Sequence, residues 1–242
     1  FASADKLRIE GLHHLDEALA LKSGAILLTA HFGYGRLIKH LMRLHGYPAW
    51  LVGPKVEEKP KHKYSPFAKF VYRKILNMPE FSVNEENDIE SNLNIRPLVQ
   101  KLKNNEILIL TADGLRASSL LDVKVIGQIV PMATGSVSLA RATGAQILPA
   151  FGVDDDEGEI GIKLVIEKPM ELTITQNAKE DARVNLQKFG CILESYINRY
   201  PHLYRWAKAN FFKKRQQFSK VDVADRYAGN FKGKKGFTKT TN

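Results

Sequence analysis

One cysteine, Cys191, is present in 242 residues, so no disulfide can form within the chain, which suits a reducing compartment. No uninterrupted apolar run approaches the ~20 residues that span a bilayer; runs such as Ala25 to Ala30 have the length of strands, which excludes a membrane crossing by the residues given. A basic-then-apolar leader is also missing and the chain opens on Phe1, which reads as a fragment whose first residues are lost and leaves an upstream anchor open. No internal repeat is evident. Metal-ligand spacing is lacking as well. His13 and His14 are adjacent and point to different sides of a helix, and Asp154-Asp155-Asp156-Glu157-Gly158 lacks the alternating oxygen ligands and distal Glu of an EF-hand loop. That acidic run reads as the solvated tip of a hairpin.

What is present is an ordinary apolar content, 44%, in a length that fits one α/β domain better than two. The charge is unevenly placed. Between Lys208 and Asn242 ten Lys or Arg stand against Asp222 and Asp225, which accounts for +8 of the total +10 and leaves the body of the chain nearly neutral. Residues 1–211 therefore read as the folded domain and residues 212–242 as a basic, flexible tail. Phe211, Phe212, Phe218, Tyr227, Phe231 and Phe237 are interleaved with these cations, a pattern that suits anionic lipid or nucleic acid as well as a merely solvated end.

Along the body, apolar runs alternate with helical periodicity. Strands are expected at Leu7 to Ile9, Ala25 to Ala30, Ala49 to Gly53, from Glu106 up to Asp113, and at Val123 to Ile129, the last interrupted by Gly127. An antiparallel hairpin is expected over Gln146 to Val153 and Ile160 to Glu167. Helices are expected at His13 to Leu21, from Leu37 onward, at Phe67 to Leu76 with a basic outer face, at Leu98 to Leu102, at Ser136 to Thr143 ended by Gly144, and at Lys179 to Tyr200. Lys55 to Lys63 reads as a charged loop, Glu80 to Asn92 has no clear assignment, and HLYRWAKANFF after Pro201 can form a short aromatic helix. The fold class is α/β, with a mixed, largely parallel central sheet flanked by helices.

The stretch AILLTAHFGYGRLIKHL places His31 after a buried strand and before a helix, where α/β proteins commonly bind substrates. EILILTADG is a second buried strand that stops at Asp113 and Gly114. If the two strands are parallel neighbours, His31 and Asp113 converge on one crevice. Read alone, His31 is equally a structural histidine and Asp113 a turn cap.

Taken in order, LRIEGLHHLDEALALKSGAILLTAHFG, ILILTADG, MATGSVSLARATGAQILPAF and RYPHLYRWAKANF resemble the bacterial lipid A biosynthesis acyltransferases, the lauroyl and myristoyl transferases within the glycerolipid acyltransferase group. The resemblance covers roughly residues 7 to 211. It implies a glycerolipid-acyltransferase-like fold and transfer of a fatty acyl group from an acyl carrier protein or coenzyme A thioester to a hydroxyl or amine of a lipid or glycolipid. No cofactor or metal is implied. The family's histidine, here His31, takes the proton of the attacking hydroxyl, and an Asp or Glu after four intervening residues orients it. That position here is Arg36, a fixed cation that cannot accept an imidazole N–H. Three explanations stay open: Asp113 supplies the carboxylate, Arg36 binds an acceptor phosphate or carboxylate, or transfer has been lost and an anionic-lipid-binding protein remains. Phe32, Gly33, Arg36, Gly114, Thr134, Gly135 and Arg141 are the candidate substrate-binding residues. Thr134 and Gly135 could hold an oxyanion or phosphate at a helix N-terminus, while Arg141 and the 67–76 face could meet an acidic carrier protein or lipid phosphates. Expected partners are the acyl donor, an anionic lipid or glycolipid acceptor and a membrane surface at the cytoplasmic face of the bacterial inner membrane. Docking there would be peripheral or through an anchor absent from this chain. Nucleic acid ranks last, since no nucleic-acid-binding motif occurs in the body.

Overall fold

The structure, a computed structural model, describes residues 8–35, 37–53, 89–90, 95–114, 117–157 and 161–204. Arg36, the 55–63 loop, the basic helix expected over 67–76, most of the 80–92 stretch and everything after Tyr204 lie outside these residues. In chain order the elements are Arg8–Glu10 (β1), Leu12–Ala20 (α1), Ala25–Thr29 (β2), Leu37–Leu44 (α2), Ala49–Gly53 (β3), Ile89–Glu90 (β4) and Arg96–Lys103 (α3). They continue as Ile107–Thr111 (β5), Leu120–Val125 (β6), Gln128–Ala133 (β7), Gly135–Thr143 (α4), Gln146–Asp154 (β8), Ile162–Ile166 (β9) and Ala178–Arg199 (α5), closed by a 3₁₀ turn, Pro201–Leu203.

Apolar runs without polar alternation call for strands covered on both faces, and β2 is buried at every position. It lies at the middle of a seven-stranded sheet ordered β1-β9-β8-β2-β5-β3-β4. Every described pairing in this sheet is parallel except β8 with β9. The fold is thus the expected α/β type, a mixed and mostly parallel sheet flanked by helices. One helical layer, α1 and α2, sets Leu15, Leu41 and Met42 against Leu27, Ile109 and Leu148 of the sheet. α5 carries Phe189 and Tyr196 onto Phe151 of β8, with ring centroids 6.1 and 4.2 Å away.

Two local expectations change. The single strand expected across Val123 to Ile129 is a two-stranded hairpin, because both residues of the connecting turn take positive φ, Ile126 at 45° and Gly127 at 70°. Such two-residue turns match the twist of paired strands, and a β-branched residue at the first position conceals the signal. The hairpin is held on α5 by side chains: Gln187 Nε2 donates to the Lys124 carbonyl at 2.9 Å, and the Ile126 N–H donates to Glu194 Oε2 at 3.0 Å. Nor is the acidic run a freely solvated tip. Asp155 is buried and accepts from Arg8 Nη1 at 3.1 Å, and Asp154 is the last residue of β8.

Candidate active site

β2 and β5 are hydrogen-bonded parallel neighbours in a register that sets Thr29 beside Thr111. His31 and Asp113 each follow that pair by two residues, so the strand alignment delivers both to the same end of the sheet. The Ala112 N–H donates to the Thr29 carbonyl at 2.8 Å, extending the pairing by one step. Asp113 Oδ1 then accepts twice from His31, from the backbone N–H at 2.8 Å and from ring Nδ1 at 2.9 Å. Asp113 is fully buried, while about a third of the His31 side chain is exposed (34%). A carboxylate at Nδ1 fixes the ring proton there and makes Nε2 the basic nitrogen of the ring, the division of labour required of a general base. The backbone bond holds the residue and the ring bond limits rotation of the imidazole.

The residue after His31 serves the core. Phe32, expected at the substrate, is 1% exposed and packs edge-on to Phe151 and Tyr196 at 5.7 and 6.2 Å. Gly33, likewise expected at the substrate, sits at φ 51° hard against β8, and its N–H donates to the Leu203 carbonyl at 2.9 Å. Tyr34 follows with its N–H on the Gly152 carbonyl at 3.0 Å. Its hydroxyl donates to Asp154 at 2.9 Å and is pushed up to about 12, first by burial and then by that carboxylate. The C-terminal turn completes this side, with a β-bridge between Phe32 and Tyr204 and a 2.6 Å bond from His202 Nε2 to Asp154 Oδ2. Tyr34, Gly152, Asp154 and His202 were not among the residues expected from sequence. Tyr34 was the legible one, since it lies within the histidine turn itself.

Thr134 and Gly135 come to the same end of the sheet. The Ala133 N–H donates to the Ala112 carbonyl at 2.7 Å, which seats the start of α4 one residue from Asp113. Thr134 makes no side-chain cap, and the buried Ser136 hydroxyl in the first turn has no hydrogen-bond partner among the described residues. An uncapped helix N-terminus presents N–H groups and partial positive charge. Gly114 follows Asp113 directly, at half-exposure. Arg141 lies in the last turn of α4, away from this N-terminus, and its guanidinium is committed to Asp181 and to the Thr175 carbonyl at 2.8 Å. The structure therefore brings together His31, Asp113, Gly114 and the Thr134–Gly135 turn, but not Arg141; Arg36 is outside the described residues. Among those described, no group of three His, Cys, Asp or Glu could hold a metal ion, and no helix is long and apolar enough to cross a membrane.

Compared with known families, the chain matches the profile described as bacterial lipid A biosynthesis acyltransferase over residues 2–213. No curated protein matches the chain.

Proposed function

The chain belongs to the bacterial lipid A biosynthesis acyltransferase family and is an acyltransferase of that type, and we propose that it moves a fatty acyl group from a thioester carrier to a hydroxyl or amine of an anionic lipid or glycolipid, with His31 as general base and Asp113 as the carboxylate that orients it. The observation that carries this reading is the bond from His31 Nδ1–H to Asp113 at 2.9 Å. An alcohol near neutral pH is a poor nucleophile until a base takes its proton as it attacks. His31 Nε2 receives that proton, the acceptor oxygen adds to the thioester carbonyl, and the imidazolium formed is stabilised by the buried carboxylate. Collapse of the tetrahedral intermediate releases the carrier thiol, which takes the proton back from Nε2.

The first turn of α4, at Thr134 and Gly135, is suited to the charge that develops on the thioester oxygen or to an acceptor phosphate. The thioester, on acyl carrier protein or coenzyme A, is a co-substrate, and the step as written needs no cofactor. The basic tail supports docking at an anionic membrane surface, which for this chemistry is the cytoplasmic face of the bacterial inner membrane. Removal of residues 213–242 is expected to weaken binding to anionic vesicles and to make what remains less salt-sensitive.

Purified protein, given acyl carrier protein or coenzyme A thioesters and a panel of lipid acceptors, is expected to form acylated lipid detectable by mass spectrometry, and His31→Ala is expected to abolish it. Undiminished product with His31→Ala would overturn the mechanism. Tight binding to anionic vesicles without turnover of any thioester would favour the second reading, a non-catalytic lipid-binding protein on the same fold, which rests on Arg36 standing where the family has an acid.

A further inference from the structure

The turn that carries His31 has no repeating structure of its own, and three features hold it. On the Asp113 side the backbone and ring of His31 share one carboxylate oxygen. Beneath the turn Phe32 is inserted edge-on among aromatic rings, a contact that resists withdrawal. The far side is held by directional bonds: the Gly33 N–H to the Leu203 carbonyl at 2.9 Å, the Tyr34 N–H to the Gly152 carbonyl at 3.0 Å, and the Tyr34 hydroxyl to Asp154 Oδ1 at 2.9 Å. The second oxygen of the same carboxylate, Asp154 Oδ2, accepts from His202 Nε2 at 2.6 Å. Asp154 thus joins the histidine turn to the Pro201–Leu203 turn, whose own Leu203 carbonyl already holds Gly33. Tyr34 lies in the His31 turn, three residues on, and through Asp154 and His202 its hydroxyl is tied to β8 and to the Pro201–Leu203 turn.

We infer that Tyr34, Asp154 and His202 form a positioning unit for the acyl-transfer site, setting the direction of His31 Nε2 by closing the far end of its turn onto β8 and the C-terminal segment. The inference rests on His31 acting as the base, and it assigns no contact with substrate to the three residues. The side chains form a chain through one carboxylate, so removing either outer bond releases the same turn. An error of about 1 Å in the placement of a reacting group costs on the order of a hundredfold in rate, and a turn loosened at one of its two ends is expected to lose about tenfold. Binding of the thioester is expected to be unaffected, because the loss lies in orientation.

The test uses the full chain with Tyr34→Phe, Asp154→Ala, Asp154→Asn, His202→Ala and the double variant Tyr34→Phe with Asp154→Ala, with His31→Ala as the control. Tyr34→Phe and Asp154→Ala are each expected to lower kcat about tenfold at unchanged KM for the thioester, and their combination to cost no more than either alone, since coupled residues are not additive. Asp154→Asn, whose amide can still accept from Tyr34 and donate to a neutral His202, is expected to stay within about twofold of the wild type. A readout independent of turnover is the imidazole spectrum of protein with nitrogen-labelled histidine: the His31 Nδ1–H signal is expected to exchange faster with water in Tyr34→Phe and to be retained in Asp154→Asn. An unchanged Nδ1–H signal and unchanged kcat in Tyr34→Phe would overturn the inference while leaving the acyl-transfer reading intact. Losses that multiply in the double variant, or that follow the fall in Tm with kcat per folded molecule constant, would overturn it too. Turnover that survives His31→Ala would instead overturn the catalytic reading, leaving the exchange of the His31 signal to decide the positioning role alone.

Discussion

Gly33 and Gly152 meet backbone to backbone: a side-chain carbon on Gly33 would lie 2.0 Å from the Gly152 carbonyl oxygen, and one on Gly152 would lie 2.9 Å from Tyr34 Cβ. The histidine turn can cross the end of β8 only because neither residue carries a side chain. Gly33 also sits at φ 51°, where an L side chain is strained whatever the space. Gly33→Ala is therefore expected to cost about 2–3 kcal/mol in urea unfolding, combining the left-handed penalty with displacement of backbone from β8. Turnover should fall with it, since His31 is two residues away.

The sheet and the meeting of His31 with Asp113 were legible because both depend on local signals. Two apolar runs of strand length each end at a polar residue beside glycine, and the helical periodicity between them favours parallel pairing. The other side of the site was hidden for the opposite reason. Asp154 reads as part of a charged hairpin tip until β8 is seen to run through it, and its partners Tyr34 and His202 stand 120 and 48 residues away. An aromatic beside a candidate base has the same appearance in sequence whether it lines a substrate or fills a core, and Phe32 is buried in the core. In sequence Arg141 shows only its charge and its place in a family segment; the buried Asp181 that pairs with it lies 40 residues on.

That pairing yields a second prediction. Asp181 is 1% exposed, and its carboxylate accepts from Arg141, from the Thr175 N–H at 2.8 Å and from the Thr175 hydroxyl at 2.8 Å. Arg141→Ala would leave this buried charge short of its counter-ion, at a cost of about 3 kcal/mol. The loss is to be read in urea unfolding without substrate. A change within a few tenths of a kcal/mol would show that the two Thr175 donors suffice.

Alkaline pH should loosen the fold through its tyrosines. Tyr34 and Tyr47 are each pushed up to about 12, chiefly by burial and next by the carboxylates they donate to, Asp154 and Asp16. Below the ordinary tyrosine value of 10.0 both folded and unfolded chains keep the proton, and this contribution to stability is fully present. Between 10.0 and about 12 only the folded chain keeps it, so stability is lost as pH rises through that window. Burial and Glu167 raise Tyr196 in the same direction. The urea midpoint is expected to fall across this range, and Tyr47→Phe and Tyr34→Phe are each expected to flatten the slope. Tyrosinate absorbance in the folded protein should lag behind that of the unfolded chain.

The last prediction sets Asp113 against Arg36. The family resemblance implies an acid at the position of Arg36, and an arginine cannot accept the imidazole proton. In this chain both the backbone and the ring of His31 already bond to Asp113, so a carboxylate at position 36 is not needed to orient the base. If Asp113 has taken over that task, Asp113→Asn keeps the shape of the site but removes the charge that stabilises the imidazolium, and kcat is expected to fall about 10²- to 10⁴-fold. Arg36 is then free to serve recognition, where a guanidinium holds a phosphate or carboxylate through two parallel bonds. Its loss in Arg36→Ala should raise KM for an anionic acceptor by about tenfold to a hundredfold, with a smaller effect on kcat. Arg36→Glu should raise KM further by repelling the same group. Steady-state kinetics with the acceptor varied and the thioester saturating separates these effects. A gain in kcat with Arg36→Glu would mean that the family position still governs His31 and that Asp113 has not replaced it.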